Sequence, residues 1–189
     1  MKSYYAISAI GKDRPGIVAD LSELVYECGC NLEDSSSTLL ENQFAHLMMV
    51  SSPDPEAGSR LSAGCKRLEW ERNLTVFFSP LEEVEWKRVR GRGGAWELNA
   101  LGVDKAGIVC RVTRILADRG MNIERMQTAT RPSADTGTPI FQMRVLLWGP
   151  EGLEEDRLRR DLEELGDRLV VDISLVSVPE PSLSDRPGG

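Results

Sequence analysis

The stretch Gly11–Asp34, GKDRPGIVADLSELVYECGCNLED, is written again at Gly102–Arg125 as GVDKAGIVCRVTRILADRGMNIER. Both copies keep Gly, Asp, Gly-Ile-Val, Gly, Asn and Glu in place and change most of the rest. A loop and helix repeated at one offset means that the chain folds into the same unit twice. Its 189 residues then allow roughly 80 for each unit, near the lower end at which one core suffices.

The elements around the repeat follow from periodicity. Ser3–Ile10 alternates and places Tyr5, Ile7 and Ala9 on one side of a strand. From Pro15 onward the period becomes helical, with Ile17, Leu21, Leu24, Val25 and Cys28 on one face. Pro15 suits a first helical turn and Gly29 a left-handed stop. Leu32–Leu40 and Phe44–Ser51 read as strands, Pro55–Arg72 as a helix and Leu74–Phe78 as a last strand. The second half repeats the order: Ala95–Gly102, a helix over Ala106–Arg119, strands at Ile123–Arg131 and Ile140–Trp148, a helix over Gly152–Leu165, and a last strand ending at Val178. Its middle hairpin, Arg131–Thr138, is longer by about six residues.

Twice βαββαβ is an α+β plan: two tandem ferredoxin-like units, each an antiparallel four-stranded sheet with two helices on one face. The expected domains are residues 1–80 and 95–178, joined by a charged, glycine-ended linker at 81–94 and followed by a disordered polar tail at 179–189.

The repeated loop lies between a strand and a helix. Gly11 and Gly16 leave the backbone open to approach, and the helix start offers unpaired N–H groups that suit a carboxylate. Asp13 and Asp104 lie just upstream, where an ammonium group would be attracted, and Asn31 and Asn122 offer a donor and an acceptor. Each residue has a plainer reading too: Asp as a helix cap, Asn after Gly as a turn former.

Other chemistry is thinly represented. A net charge of −7 is a poor match for a phosphate backbone, so no direct nucleic-acid binding is expected. Lys87–Gly94 is basic, but Glu82, Glu83 and Glu85 precede it, and it reads as solvated linker. No apolar run reaches the ~18 residues of a membrane span, and charges at Asp13, Arg14 and Asp20 argue against a signal peptide, so a cytoplasmic protein is expected. Cys28, Cys30, Cys65 and Cys110 do not repeat between halves and read as plain thiols, with no metal or cofactor expected. His46, between Phe44 and Met48 on a strand face, reads as packed rather than catalytic, and no Gly-x-Ser-x-Gly occurs, so no enzyme is expected.

The motifs Asp-Arg-Pro-Gly-Ile-Val with Gly-Cys-Asn-Leu, and Asp-Lys-Ala-Gly-Ile-Val with Gly-Met-Asn-Ile, resemble the ACT-domain signature, twice over residues 3–178. With Thr136–Phe141, TGTPIF, the pair is similar to the glycine cleavage system transcriptional repressor-like group. The Asn31–Ser36 stretch also resembles the amino-terminal module of formyltetrahydrofolate deformylases. The ACT resemblance implies a dimeric regulatory protein that binds an amino acid of the glycine or serine class where two copies meet. It also implies action through a protein partner rather than DNA. Carried over, the site is Asp13, Arg14, Pro15, Gly16 and Ile17 with Asn31 and Leu32. In the second copy it is Asp104, Lys105, Ala106, Gly107 and Ile108 with Asn122 and Ile123; Ala106 departs from the usual proline. The alternative is a ligand-free scaffold that uses its sheets for association.

Overall fold

The computed structural model describes residues 2–82 and 93–179. The basic stretch from Lys87 to Arg92 and all of the expected tail beyond Pro179 lie outside the described residues.

The first unit runs β1 (Ser3–Lys12), α1 (Ile17–Glu27), β2 (Asn31–Leu40), β3 (Gln43–Ser52), α2 (Ala57–Arg72) and β4 (Thr75–Leu81). The second runs β5 (Ala95–Val103), α3 (Ile108–Asp118), β6 (Asn122–Pro132), β7 (Pro139–Trp148), α4 (Glu155–Leu169) and β8 (Val171–Val178). Sheet order is β2-β3-β1-β4 in one and β6-β7-β5-β8 in the other, all pairs antiparallel. This is the ferredoxin-like plan expected from the periodicity, realised twice.

One side of each sheet meets both helices. In the first unit Tyr5, Ile7, Ala9, Met48, Val50 and Val76 join Ile17, Leu21, Leu24, Val25 and Cys28 of the first helical segment and Leu61, Cys65 and Leu68 of α2. In the second, Ile108, Val112 and Leu116 close over Leu98, Met143, Val145 and Leu147, with Ile115 partly buried beside them. Burial of this apolar surface, at about 25 cal/mol per Å², is what holds each helix to its sheet.

Boundaries differ from the sequence reading where backbone geometry decides. Both first helices start two residues late, at Ile17 and Ile108, because Gly16 and Gly107 sit at φ +90° and +93° and cannot belong to a right-handed helix. Pro15 therefore stands in the turn before α1, outside its first turn. Helix α4 begins after Gly152, which is at φ +75°, and runs on to Leu169, because Leu165 and Leu169 continue its buried stripe. Strand β4 extends past Phe78 through Pro80 to Leu81; it is an edge strand, where a missing N–H leaves no rung unpaired on the outer side. The thiols are free, with Cys28 and Cys65 buried, Cys30 half-buried and Cys110 exposed. Burial pushes the Cys65 thiol up to about 11.

Candidate functional site

In each unit a short loop leaves the first strand, turns through a left-handed glycine and enters the first helix. The backbone N–H of Asp13 donates to the carbonyl of Asn42 at 2.9 Å, and that of Asp104 to the carbonyl of Pro139 at 2.9 Å. Each loop is thus fastened to the hairpin beyond the second strand. Neither helix start has a side-chain cap, so the capping reading of Asp13 and Asp104 does not hold. The first N–H groups of α1 and α3 keep no intrahelical partner. Ile17 and Ile108 are each 2% exposed. Their side chains belong to the core.

The two loops differ in how they use their charges. The Asp13 carboxylate is exposed and has no side-chain partner among the described residues. Arg14 is held down: its Nη2 donates to Asp20 Oδ2 at 2.6 Å and its Nη1 to the carbonyl of Pro15 at 3.2 Å. Asp20 also faces Arg72 Nε at 3.4 Å, so the guanidinium beside the loop is already neutralised. In the second unit Lys105 Nζ donates to the carbonyl of Leu169 at 2.9 Å, satisfying the end of α4. The hydroxyl of Thr130 donates to Asp104 Oδ2 at 3.4 Å. Pro15 and Ala106 are exposed.

The glycines of the motif have structural work that the sequence did not reveal. A Cβ on Gly16 would meet only Arg14 Nη1 at 3.7 Å, so the residue is required for its φ, not for space. Gly16→Ala is expected to cost about 1–2 kcal/mol, read as an earlier midpoint in urea unfolding; an unchanged midpoint would mean that the turn rearranges freely. Gly11 and Gly102 lie within strands, where a Cβ would strike Leu74 Cδ2 at 2.6 Å and the carbonyl oxygen of Val170 at 2.8 Å. They serve packing rather than access for a ligand.

Asn31 and Leu32 are exposed, and so are Asn122 and Ile123. Within one unit they are not near the loop. Asn31 pairs with Ser51 and Lys12 with Gln43, eight positions apart along β3, or roughly 27 Å of strand. Asn122 pairs with Trp148 and Val103 with Ile140, again eight positions apart. Loop and Asn thus occupy opposite ends of each sheet.

The repeated Glu of the Asn-x-Glu step, to which the motif assigned no role, sits at a break in strand register in both units, at Glu33 and Glu124. Glu33 accepts from Lys2 Nζ at 2.6 Å and from the Ser51 hydroxyl. The Lys2 bond, followed by those of Ser51 and Asn31, holds its carboxyl below the usual range. Glu124 accepts from Trp148 Nε1 at 2.5 Å. The Glu ties the bulge back to the end of the neighbouring strand in both copies, a role visible only once the register is known.

Family models for the ACT domain match residues 3–79 and 96–145. The glycine cleavage system transcriptional repressor of Escherichia coli K12 is 46% identical over 172 residues, spanning 86% of this chain and 83% of that protein, as is its counterpart in Shigella flexneri. The crystal structure of an unknown protein from Galdieria sulphuraria superposes with a TM-score of 0.80 at 27% identity, covering 95% of this chain and all of that one. A structure described as a candidate glycine cleavage system transcriptional repressor superposes at 0.72 with 21% identity, over 95% and 99% of the two chains, and shares the fold. Among the described residues no helix is long and apolar enough to cross a membrane.

Proposed function

This chain belongs to the ACT domain family, as two tandem copies, and on that premise we propose that it is a non-enzymatic, cytoplasmic regulatory protein that binds a small amino acid and signals by contact with another protein. The observation that carries this reading is its 46% identity to a transcriptional repressor along most of both chains. The acidic balance of −7 supports action through a protein partner rather than through DNA.

The proposed site sets the loop Asp13–Gly16 against the Asn31 end of a second copy of the chain. An α-carboxylate takes the free N–H groups at the helix start, and the ammonium faces Asp13. Its likeness to the glycine cleavage system transcriptional repressor supports a ligand of the glycine or serine class. The first unit is the better site, since its Asp13 carboxylate has no side-chain partner among the described residues. The second unit ties up Lys105 and Asp104 internally, which favours for that unit the reading in which the sheet serves association alone.

Titration calorimetry with glycine and serine, then the other amino acids, tests this. A hit is expected to weaken at least tenfold in Asp13→Ala, the loss of one charged hydrogen bond at about 1.5–3 kcal/mol. Melting of the unliganded protein should not move, because Asp13 is exposed and uncapping. Binding unaffected by the substitution sinks the assignment, and silence across all amino acids leaves the scaffold reading.

A further inference from the structure

The last strand of each unit lies at the edge of its sheet, with a neighbouring strand on one side only. Such an edge presents unpaired backbone N–H and C=O groups, and folded proteins commonly blunt it. The first unit does so with a side chain. Glu69 of α2 accepts the backbone N–H of Val76 in β4 at 3.0 Å, so the outward N–H is covered. The second unit lacks this cover. Helices α2 and α4 end alike, at left-handed Asn73 and Val170, and four residues before these stand Glu69 and Gly166. Val76 pairs with Ala9 and Ile173 with Ala100, one place in the repeat. The N–H of Ile173 therefore faces the open edge, and no side chain caps it among the described residues. Nothing larger than glycine fits at 166, because a Cβ there would lie 2.6 Å from the carbonyl oxygen of Val171.

The uncapped edge opens into a groove of about 500 Å³. It runs from Asn99 and Leu101, on the sheet face turned away from the helices, around β8 to α4. The charged side chains that line it are Glu163, Asp167 and Asp172, all exposed and in no ion pair among the described residues. Lys105 does not line it; its Nζ is bonded to the carbonyl of Leu169. The matching residues of the first unit are Lys66, Trp70 and Thr75, so the fold does not require carboxylates at these places. We propose that the β8 edge is a docking site for an extended, basic segment of another protein, added to the sheet as a fifth strand. The inference rests on the reading of this chain as a regulator that works through a protein partner, and it names that partner's chemistry.

Side chains of an added strand alternate between the two faces of the sheet. A residue turned to the helix side meets Glu163 and Asp167, and its neighbour in sequence meets Asp172. Two adjacent Lys or Arg residues match that arrangement, and pairing of main chains along β8 supplies affinity that does not depend on side chains. A second copy of this chain is a poor occupant. Two β8 edges brought together would set Asp172 and its acidic neighbours against like charges. A β4 edge would arrive with its Val76 N–H already bonded to Glu69.

Fluorescence anisotropy of the full chain with a labelled probe peptide, acetyl-Thr-Val-Lys-Arg-Val-Thr-amide, is the test. The peptide should bind, and the same peptide N-methylated at alternate residues, with its charges intact but its rungs removed, should bind at least about tenfold more weakly. The double variant Glu163→Lys/Asp167→Lys should also weaken binding at least about tenfold. Its melting should stay close to the wild type, because both side chains are exposed. Amide hydrogen exchange reads the edge without any substitution: with peptide at about ten times its dissociation constant, exchange at Ile173 should slow about tenfold. No binding at millimolar peptide, equal binding of the N-methylated peptide, charge reversal without effect, or unchanged exchange at Ile173 overturns the proposal. None of these results touches the calorimetry with amino acids, so failure of the edge site and failure of the sensor reading are told apart.

Discussion

Gly102→Val is expected to destabilise the second unit by about 3 kcal/mol, shifting its urea transition well below that of the wild type. A Cβ at this position would lie 2.8 Å from the carbonyl oxygen of Val170, 2.9 Å from Val171 Cα and 3.0 Å from Val171 Cγ2. Two of those atoms are backbone, at the point where β8 leaves α4 and joins β5, and a branched side chain makes the collision worse. Either the first rungs of the β5–β8 ladder open or α4 moves from the sheet, and both expose core. The matching glycine of the first unit is softer: a Cβ on Gly11 meets the far end of the Leu74 side chain at 2.6 Å, which can rotate. Gly11→Val should therefore cost clearly less than Gly102→Val, although the two glycines hold one place in the repeat. Trp96 and Trp148 are buried in the second unit, so tryptophan fluorescence follows its unfolding. Equal and small costs at both positions would show that the glycines are kept for access to the loop and not for packing.

The periodicity of the sequence carried most of the fold. Ile17, Leu21, Leu24, Val25 and Cys28 sit on one helical stripe and all are buried; Tyr5, Ile7 and Ala9 alternate along a strand and all face the helices. Side-chain spacing encodes burial directly, so such faces can be read without coordinates. The start of α1 was less legible. Pro15 is a good first-turn residue by type, but the φ of Gly16 is a property of the backbone, and glycine permits either hand. The roles of Glu33 and Glu124 depend on a bulge, and a bulge exists only relative to a partner strand. The distance between Asp13 and Asn31 was implicit in the topology. In a split βαβ plan the first loop and the start of the second strand fall at opposite ends of the sheet.

His46→Met is expected to stabilise the first unit by about 1–3 kcal/mol, the cost of a buried polar atom left unsatisfied. For a domain of this size that is a rise of about 4–8 °C in melting temperature per kcal/mol. Phe44 pairs with Gly11 and Phe141 with Gly102, so two residues on His46 and Met143 hold the same place in their units. Met143 is fully buried among apolar neighbours. His46 is 6% exposed and stacks beside Phe44 with ring centroids 6.0 Å apart. Its Nδ1 is buried with no hydrogen-bond partner among the described residues. Burial, which penalises the charged imidazolium, lowers its pKa from 6.5. The sign of the pH effect follows. Below 6.5 the unfolded chain takes up a proton at this histidine that the folded chain refuses, so ΔG of unfolding falls as pH falls through the window between 6.5 and the lower folded value. Above 6.5 the histidine is neutral in both states and its contribution is flat. The carboxylates of Glu33 and Asp54, whose pKa values are lowered from 4.5 and 3.8 by their Lys2 and Arg60 partners, act at more acidic pH. The methionine variant should therefore lose the pH slope just below 6.5 and keep the loss of stability at more acidic pH. Melting both proteins across that range decides it: equal stability and an unchanged slope would mean that Nδ1 finds a partner in solution and that His46 is not a cost to the fold.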